Sequence, residues 1–198
     1  MTHRAHNLLQ TTVVLLALLT PAWLLPAWVG LPWAVAVALL AGPMLWLTWH
    51  HAPWVPTPAE ETAAIVEALQ LGPTSTFVDL GAGDGRLLQR LHAASGARCV
   101  GVEAAPLVYL LGRLRLAWAG SPCRLVWGDL RRFDLSDADA VYLWGTAYGL
   151  DQAWVDRLRS LRPGARVVSY GTPLPGWDPT SVLDHGLRSL YIYEVESP

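Results

Sequence analysis

From Ala5 through Ala59 the chain has no Asp, Glu, Lys or Arg, and from Glu60 charged residues run on to the C-terminal end. That break divides what the chain can fold into. Its 198 residues allow one ordinary domain plus an appendage. A composition 53% hydrophobic and 15% charged exceeds what one soluble domain needs, and the excess lies in the first quarter. Two apolar runs stand there, Leu8 to Leu25 and Trp33 to Trp49. As helices each would reach about 26 Å, against a hydrocarbon core of about 30 Å. Trp23, Trp28 and Trp33 surround the proline-bounded stretch Pro26 to Pro32, and Trp46, Trp49 and Trp54 surround the exit. Tryptophan favours the membrane interface, so this pattern predicts a transmembrane or re-entrant helical hairpin over residues 1–52, with a turn at Pro26–Pro32. Arg4 and a turn without Lys or Arg predict both ends on the cytoplasmic side of the inner membrane. A cleaved signal peptide is the rival reading, but the second apolar run follows without a convincing small-x-small site.

A net charge of −2 without a basic cluster argues against a nucleic-acid partner. Cys99 and Cys123 lie in apolar runs without Cys-x-x-Cys or Cys/His spacing, which predicts small buried side chains and no metal. All fourteen basic residues are arginine, as a GC-rich coding bias would give.

Residues 53–198 read as a second domain. A helix over Pro58–Leu71 is expected, with Thr57 as its cap, Glu60 and Glu61 at its positive end and Gly72-Pro73 as its stop. Short β-type runs then alternate with helical ones. Strands are predicted at Phe77–Gly81, Cys99–Glu103, Arg124–Trp127, Ala140–Trp144, Ala165–Ser169 and Ser189–Val195. Helices are predicted at Asp84–Ser95, Pro106–Ala119 and Gln152–Leu161. The alternation predicts a doubly wound, mostly parallel α/β sheet with helices on both faces.

The sharpest motif, Val78-Asp-Leu-Gly-Ala-Gly-Asp-Gly-Arg86, ends one strand and opens the next helix. Doubly wound folds bind nucleotides at such a junction, and Gly81, Gly83 and Gly85 allow close backbone approach. The spacing is G-x-G-x-G, not the G-x-G-x-x-G of dinucleotide binders. Asp79 and Asp84 would add negative charge where a pyrophosphate must lie, which makes a dehydrogenase a distant alternative. A ligand joining an ammonium group to adenosine fits better, and S-adenosylmethionine is one. Glu103, at the end of the second strand, has the usual offset for a ribose-binding acid. Asp129 after the third strand can accept from an adenine amino group, and Leu130 can pack on the ring.

The glycine motif, the later Glu103 and the Gly-Asp-Leu triplet resemble the seven-stranded class I methyltransferases. Trp-Val-Pro-Thr-Pro at residues 54–58 and the stretch Leu161–Trp177 resemble, more specifically, the small archaeal protein lysine methyltransferases. They also resemble the mitochondrial enzymes that methylate the adenine nucleotide translocase and the ATP synthase c-subunit. The resemblance covers about Trp54 to Val195. It implies a seven-stranded sheet, methylation of a protein lysine ε-amino group and no metal, and it sets Val55 and Thr57 against the methionine end of the cofactor. The sequence departs from this pattern where Trp54 replaces a usual Tyr, and where Gly145-Thr146-Ala147 replaces Leu-Thr-Asn.

Methyl transfer asks mainly for alignment, and burial helps a lysine lose its proton, so no dedicated base is expected. Trp54, Trp144, Thr146, Tyr148 and Tyr170, at sheet ends or on the border peptide, are candidates to line an acceptor channel. Ser169 and Trp177 are expected to be structural, and His185 to lie on a loop. A membrane hairpin would hold the site near a cytoplasm-facing lysine of a small membrane protein such as the ATP synthase c-subunit. A lipid or quinone acceptor, and a non-catalytic membrane adaptor, are the alternatives.

Overall fold

A computed structural model describes residues 24, 26–50, 56–145, 149–185 and 188–196. The chain forms two compact units, Met1–His50 and His51–Pro198.

Among the described residues of the first unit, helix α1 runs from Ala27 to His50. It starts inside the stretch expected to be a turn. The carbonyl of Pro26 accepts from the amides of Val29 (2.8 Å) and Gly30 (2.9 Å), so this proline opens a helix instead of breaking one. Pro32 lies within α1, where it forfeits one helical hydrogen bond without ending the helix. Among the described residues no helix is long and apolar enough to cross a membrane. The first apolar run, Leu24 apart, lies outside the described residues, and the expected hairpin is unconfirmed.

The second unit is built on a seven-stranded sheet: β1 (Thr76–Leu80), β2 (Arg98–Glu103), β3 (Arg124–Trp127), β4 (Ala140–Leu143), β5 (Arg166–Tyr170), β6 (Ser181–His185) and β7 (Arg188–Glu194). Its order is β3-β2-β1-β4-β5-β7-β6. The first five strands pair in parallel, whereas β7 runs antiparallel to both β5 and β6. Strand β6 is an addition to the sequence reading. It is an edge strand whose residues Ser181 to Asp184 are exposed, so it lacks the apolar run that marks a buried strand. His185 therefore ends a strand and does not sit on a loop.

Helices α2 (Glu61–Ala68), α3 (Arg86–Ser95) and α4 (Pro106–Trp118) cover one face, α5 (Gln152–Arg159) the other. Ile65, Leu88, Leu91 and Leu116 pack on the first face with Phe77, Cys99 and Leu125. On the second, Trp154, Val155 and Leu158 meet Val78, Leu80, Val141 and Val167. Side chains alternate along a strand, so Asp79, Tyr142 and Tyr170 share the α2/α3/α4 face. Parallel register sets Asp79 opposite Gly101 on one side and Tyr142 on the other.

Candidate active site

The glycine loop between β1 and α3 is held by β2. The amides of Gly81 and Ala82 both donate to the Val102 carbonyl at 3.0 Å. Gly81, Gly83 and Gly85 take φ of +102°, +59° and +74°, the region glycine occupies without a Cβ penalty. A second glycine requirement, unseen in the sequence, is Gly101 on β2. A Cβ there would lie 2.4 Å from Ala82 Cβ, so the loop nests against β2 because this side chain is missing.

Glu103 closes the arrangement. Its Oε2 accepts from the Gly83 amide (2.9 Å) and its Oε1 from the Ala105 amide (2.7 Å). A carboxylate has about four acceptor positions, so capacity remains for a ligand's hydroxyls. Burial raises the Glu103 carboxyl above its ordinary range against the opposing pull of these amides. Asp79 is 3% exposed, and no hydrogen bond reaches its carboxylate among the described residues. Burial first, then the charge of Glu103, push its carboxyl up to about 8.

Asp84 departs from expectation. Burial would raise its carboxyl, but Arg86, donating at 2.6 Å, and Arg115 at 3.2 Å hold it below the ordinary range. Its charge is thus met within the protein, and Asp79, raised to about 8, is largely protonated at neutral pH, so the case against a pyrophosphate rests on the G-x-G-x-G spacing. On the rim, Asp129 Oδ1 accepts from the Arg131 amide at 2.8 Å, and Oδ2 lies 3.5 Å from Arg132. Leu130 leans over the loop, with Cδ2 3.6 Å from the position a Cβ on Gly81 would take. Asp79, the three loop glycines, Glu103 and Leu130 thus converge, with Asp129 at the solvent edge.

A buried polar cluster adjoins Asp79 on the same sheet face. Thr57 does not cap the first helix, as its sequence position predicts; the cap position is Glu60, without a side-chain bond. Thr57 Oγ1 instead lies 3.1 Å from the Tyr142 hydroxyl, tying the segment ahead of α2 to β4. The Tyr170 hydroxyl donates to Glu61 Oε1 at 3.3 Å, and Glu61 is only 1% exposed. Burial and then Glu61 push Tyr170 up to about 12. Trp144 meets Tyr170 edge to face with centroids 4.9 Å apart, and the Arg188 guanidinium lies over the Trp144 ring at 5.5 Å. Trp144 and Tyr170, both predicted, are therefore together. Tyr142 and Glu61 are additions that sequence reasoning misses. Register opposite Asp79 is the signal that points to Tyr142, whereas Glu61 reads as an ordinary acid in a first helical turn.

Trp54, Val55, Thr146 and Tyr148 lie outside the described residues. Gly145 precedes two of them, and a Cβ there would meet Leu150 Cγ at 2.7 Å, so the Leu of the Leu-Thr-Asn pattern would not fit. Ser169 and Trp177 are structural as expected: Ser169 Oγ donates to the Thr172 carbonyl at 2.5 Å, and Trp177 packs on Tyr193.

A family model described as the ANTKMT methyltransferase domain matches residues 79–181, more than half of the chain, beginning at Asp79. The chain belongs to this methyltransferase family. It is 32% identical over 148 residues to the adenine nucleotide translocase lysine N-methyltransferase of Mus musculus, covering 73% of this chain and 64% of that enzyme. It is 28% identical to a protein-lysine N-methyltransferase of Saccharolobus islandicus, over 73% of this chain and 94% of that one. A lysine N-methyltransferase of the ATP synthase c-subunit from Rattus norvegicus is 27% identical over 73% of this chain and 67% of its own length. Among solved structures, an RNA methyltransferase from Salinibacter ruber in complex with S-adenosyl-L-homocysteine superposes with a TM-score of 0.68. It is 29% identical and covers 73% of this chain and 95% of that one. This family member therefore has the S-adenosylmethionine-dependent methyltransferase fold expected from its sequence.

Proposed function

We propose that the protein transfers a methyl group from S-adenosyl-L-methionine to a lysine ε-amino group of a protein, held near a membrane by its apolar N-terminal segment. The observation that carries this reading is the pair of carboxylates bracketing the glycine loop, Asp79 buried and Glu103 half-buried. Asp79 faces the ligand side without a hydrogen bond among the described residues, and Glu103 lines the loop with acceptor capacity to spare. Asp79 suits the ammonium of a methionine moiety, Glu103 the ribose hydroxyls, and Leu130 and Asp129 the adenine. Bound there, S-adenosyl-L-methionine supplies an electrophilic methyl group. The protein's own task is to align the acceptor amine and strip its proton. The aromatic wall of Tyr142, Trp144 and Tyr170 gives a low-dielectric approach that disfavours an ammonium ion and releases the neutral nucleophile. Trp54, Thr146 and Tyr148 are assigned to the rest of that approach, and Val55 and Thr57 to the methionine end.

The acceptor proposed is a cytoplasm-facing lysine of a small integral membrane protein, such as the ATP synthase c-subunit, methylated at the inner membrane. Relatives named for that protein and for a translocase support this choice. So does α1, whose Trp28, Leu31, Val35 and Leu39 are exposed apolar side chains. An RNA acceptor, as named for the S. ruber protein, fits less well with a net charge of −2 and no basic cluster.

The test is incubation of the detergent-solubilised full-length protein with radiolabelled S-adenosylmethionine and membranes of its host. An Asp79→Ala/Glu103→Ala variant runs in parallel, and protein, lipid and RNA are then separated. Variant-sensitive label on lysine of a small membrane protein is the expected result. Label confined to lipid or RNA would replace the acceptor, and absence of cofactor binding would leave a membrane adaptor.

A further inference from the structure

Helix α4 is apolar nearly all round, yet only half of it is covered. Val108, Gly112 and Leu116 face the sheet, where a Cβ on Gly112 would meet Leu125 at 2.5 Å. On the opposite side Leu107, Leu110, Leu111, Leu114 and Trp118 follow the i, i+3, i+4, i+7, i+11 spacing of one helical stripe. They are 37%, 53%, 56%, 46% and 88% exposed. Trp127 of the edge strand β3, 61% exposed, extends the stripe at its N-terminal end, its indole N–H donating to the Ala104 carbonyl at 3.1 Å. A helix this apolar is normally buried all round, and scattered single leucines would need no explanation. A continuous stripe of four leucines ending in tryptophans does.

Charge decides what covers it. From Pro106 to Gly128 the sequence has Arg113, Arg115 and Arg124 and no Asp or Glu. On the helical wheel Arg113 and Arg115 flank the leucine stripe on opposite sides. Both are exposed, as is Arg124, and Arg115 is shared with Asp84. Leucine and tryptophan on one face with arginine at its borders is the pattern of a helix lying in the headgroup layer of an anionic membrane. We propose that the outer face of α4, with Trp127, docks the catalytic domain on an anionic lipid surface, as a contact separate from the N-terminal segment. Trp127 and Glu103 are paired in register at the carboxyl ends of β3 and β2, so the docking face borders the cofactor site. The inference does not depend on which acceptor is methylated.

A probe of position 111 tests it in the full-length protein. In a Cys99→Ala/Cys123→Ala background, Leu111→Cys carries a polarity-sensitive nitrobenzoxadiazole label. Asp156→Cys on α5, across the sheet, carries the same label as a control, and cofactor binding confirms that each variant is folded. Vesicles contain phosphatidylcholine alone or with phosphatidylglycerol, with or without brominated acyl chains. With the anionic vesicles, emission at position 111 should about double and be quenched by brominated chains, while position 156 stays unchanged. If the N-terminal segment alone binds lipid, both probes will remain dark to the bromines, and the inference fails. It also fails if position 111 responds equally to phosphatidylcholine alone. A label at 111 already in an apolar setting without lipid, at all concentrations or on raising protein concentration, would assign the face to the protein's own chain or to a second copy.

Discussion

Asp79 makes the first residue-scale prediction. With its carboxyl at about 8 in the folded protein and at the ordinary value of 3.8 when unfolded, the folded state keeps a proton that the unfolded state has lost between those limits. Stability from this group is therefore complete below about pH 4 and falls as pH rises to about 8. Asp79→Asn should flatten that part of the stability curve by a few kcal/mol, read as the difference between variant and parent melting at pH 5.5 and 8.5. A cationic ligand reverses the sign, because it favours the ionised carboxyl. Affinity for S-adenosylmethionine should rise about tenfold per pH unit below pH 7 and level off near 8, and calorimetry on the asparagine variant should show no such rise. A second prediction concerns Thr57 and Tyr142, whose hydroxyls bond each other in the interior. Tyr142→Phe or Thr57→Val alone strands a buried hydroxyl and should cost about 1–2 kcal/mol. The double variant should cost less than the sum, measured by a denaturant-melt cycle. Asp79 and Glu103 are legible in the sequence because Asp79 stands in the glycine motif that closes one β-type run and Glu103 ends the next run at the usual offset of a ribose-binding acid. Glu61 and Tyr142 are not, because their burial depends on partners 109 and 85 residues away.

Elements show the same division between local and distant causes. The strands β1 to β5 and β7 and the helices α3 to α5 are legible to within about two residues, since apolar runs, Pro106 and the glycine stops are local signals. Four features are not. The start of α1 reads as a turn, because prolines at a helix start and in a turn look alike. The first turn of α2 reads as capped by Thr57, whose hydroxyl is instead drawn to β4. Strand β6 exists because β7 offers it an antiparallel edge, and its own composition does not announce it. The tight seat of the glycine loop is another case, since Gly101 in the run Cys-Val-Gly-Val looks like an interruption of a strand. Gly101→Ala brings a Cβ within 3.0 Å of Ala82, Leu88 and Leu125, more than a side-chain rotation can relieve. We expect a loss of about 1–3 kcal/mol in stability. Because the displaced group is the loop itself, cofactor affinity should fall at temperatures well below the melt. Melting and calorimetry on the same sample separate the two effects, and unaltered affinity would show that the loop does not depend on this contact.

Across the whole molecule, the uncharged stretch ends at Ala59, shortly after the first compact unit closes at His50, and the family match begins only at Asp79. Every contact described around the cofactor loop and the aromatic wall comes from residues 57 onward, so the second unit holds the chemistry proposed here. A chain of residues 51–198 should therefore fold, melt cooperatively and bind S-adenosylmethionine within about twofold of the parent, because no cofactor-side group has been removed. Its activity should then separate by acceptor. On a lysine peptide in solution the rate should stay close to the parent's. On a membrane-embedded acceptor it should fall by about tenfold or more, since tethering contributes through effective concentration and not through new contacts at the site. Should the truncated chain lose cofactor binding as well, the first unit would be part of the active site's structure. Should it lose neither activity, the face of α4 would be left as the membrane contact that matters, and charge reversal at Arg113 and Arg124 would be the next place to look for the loss.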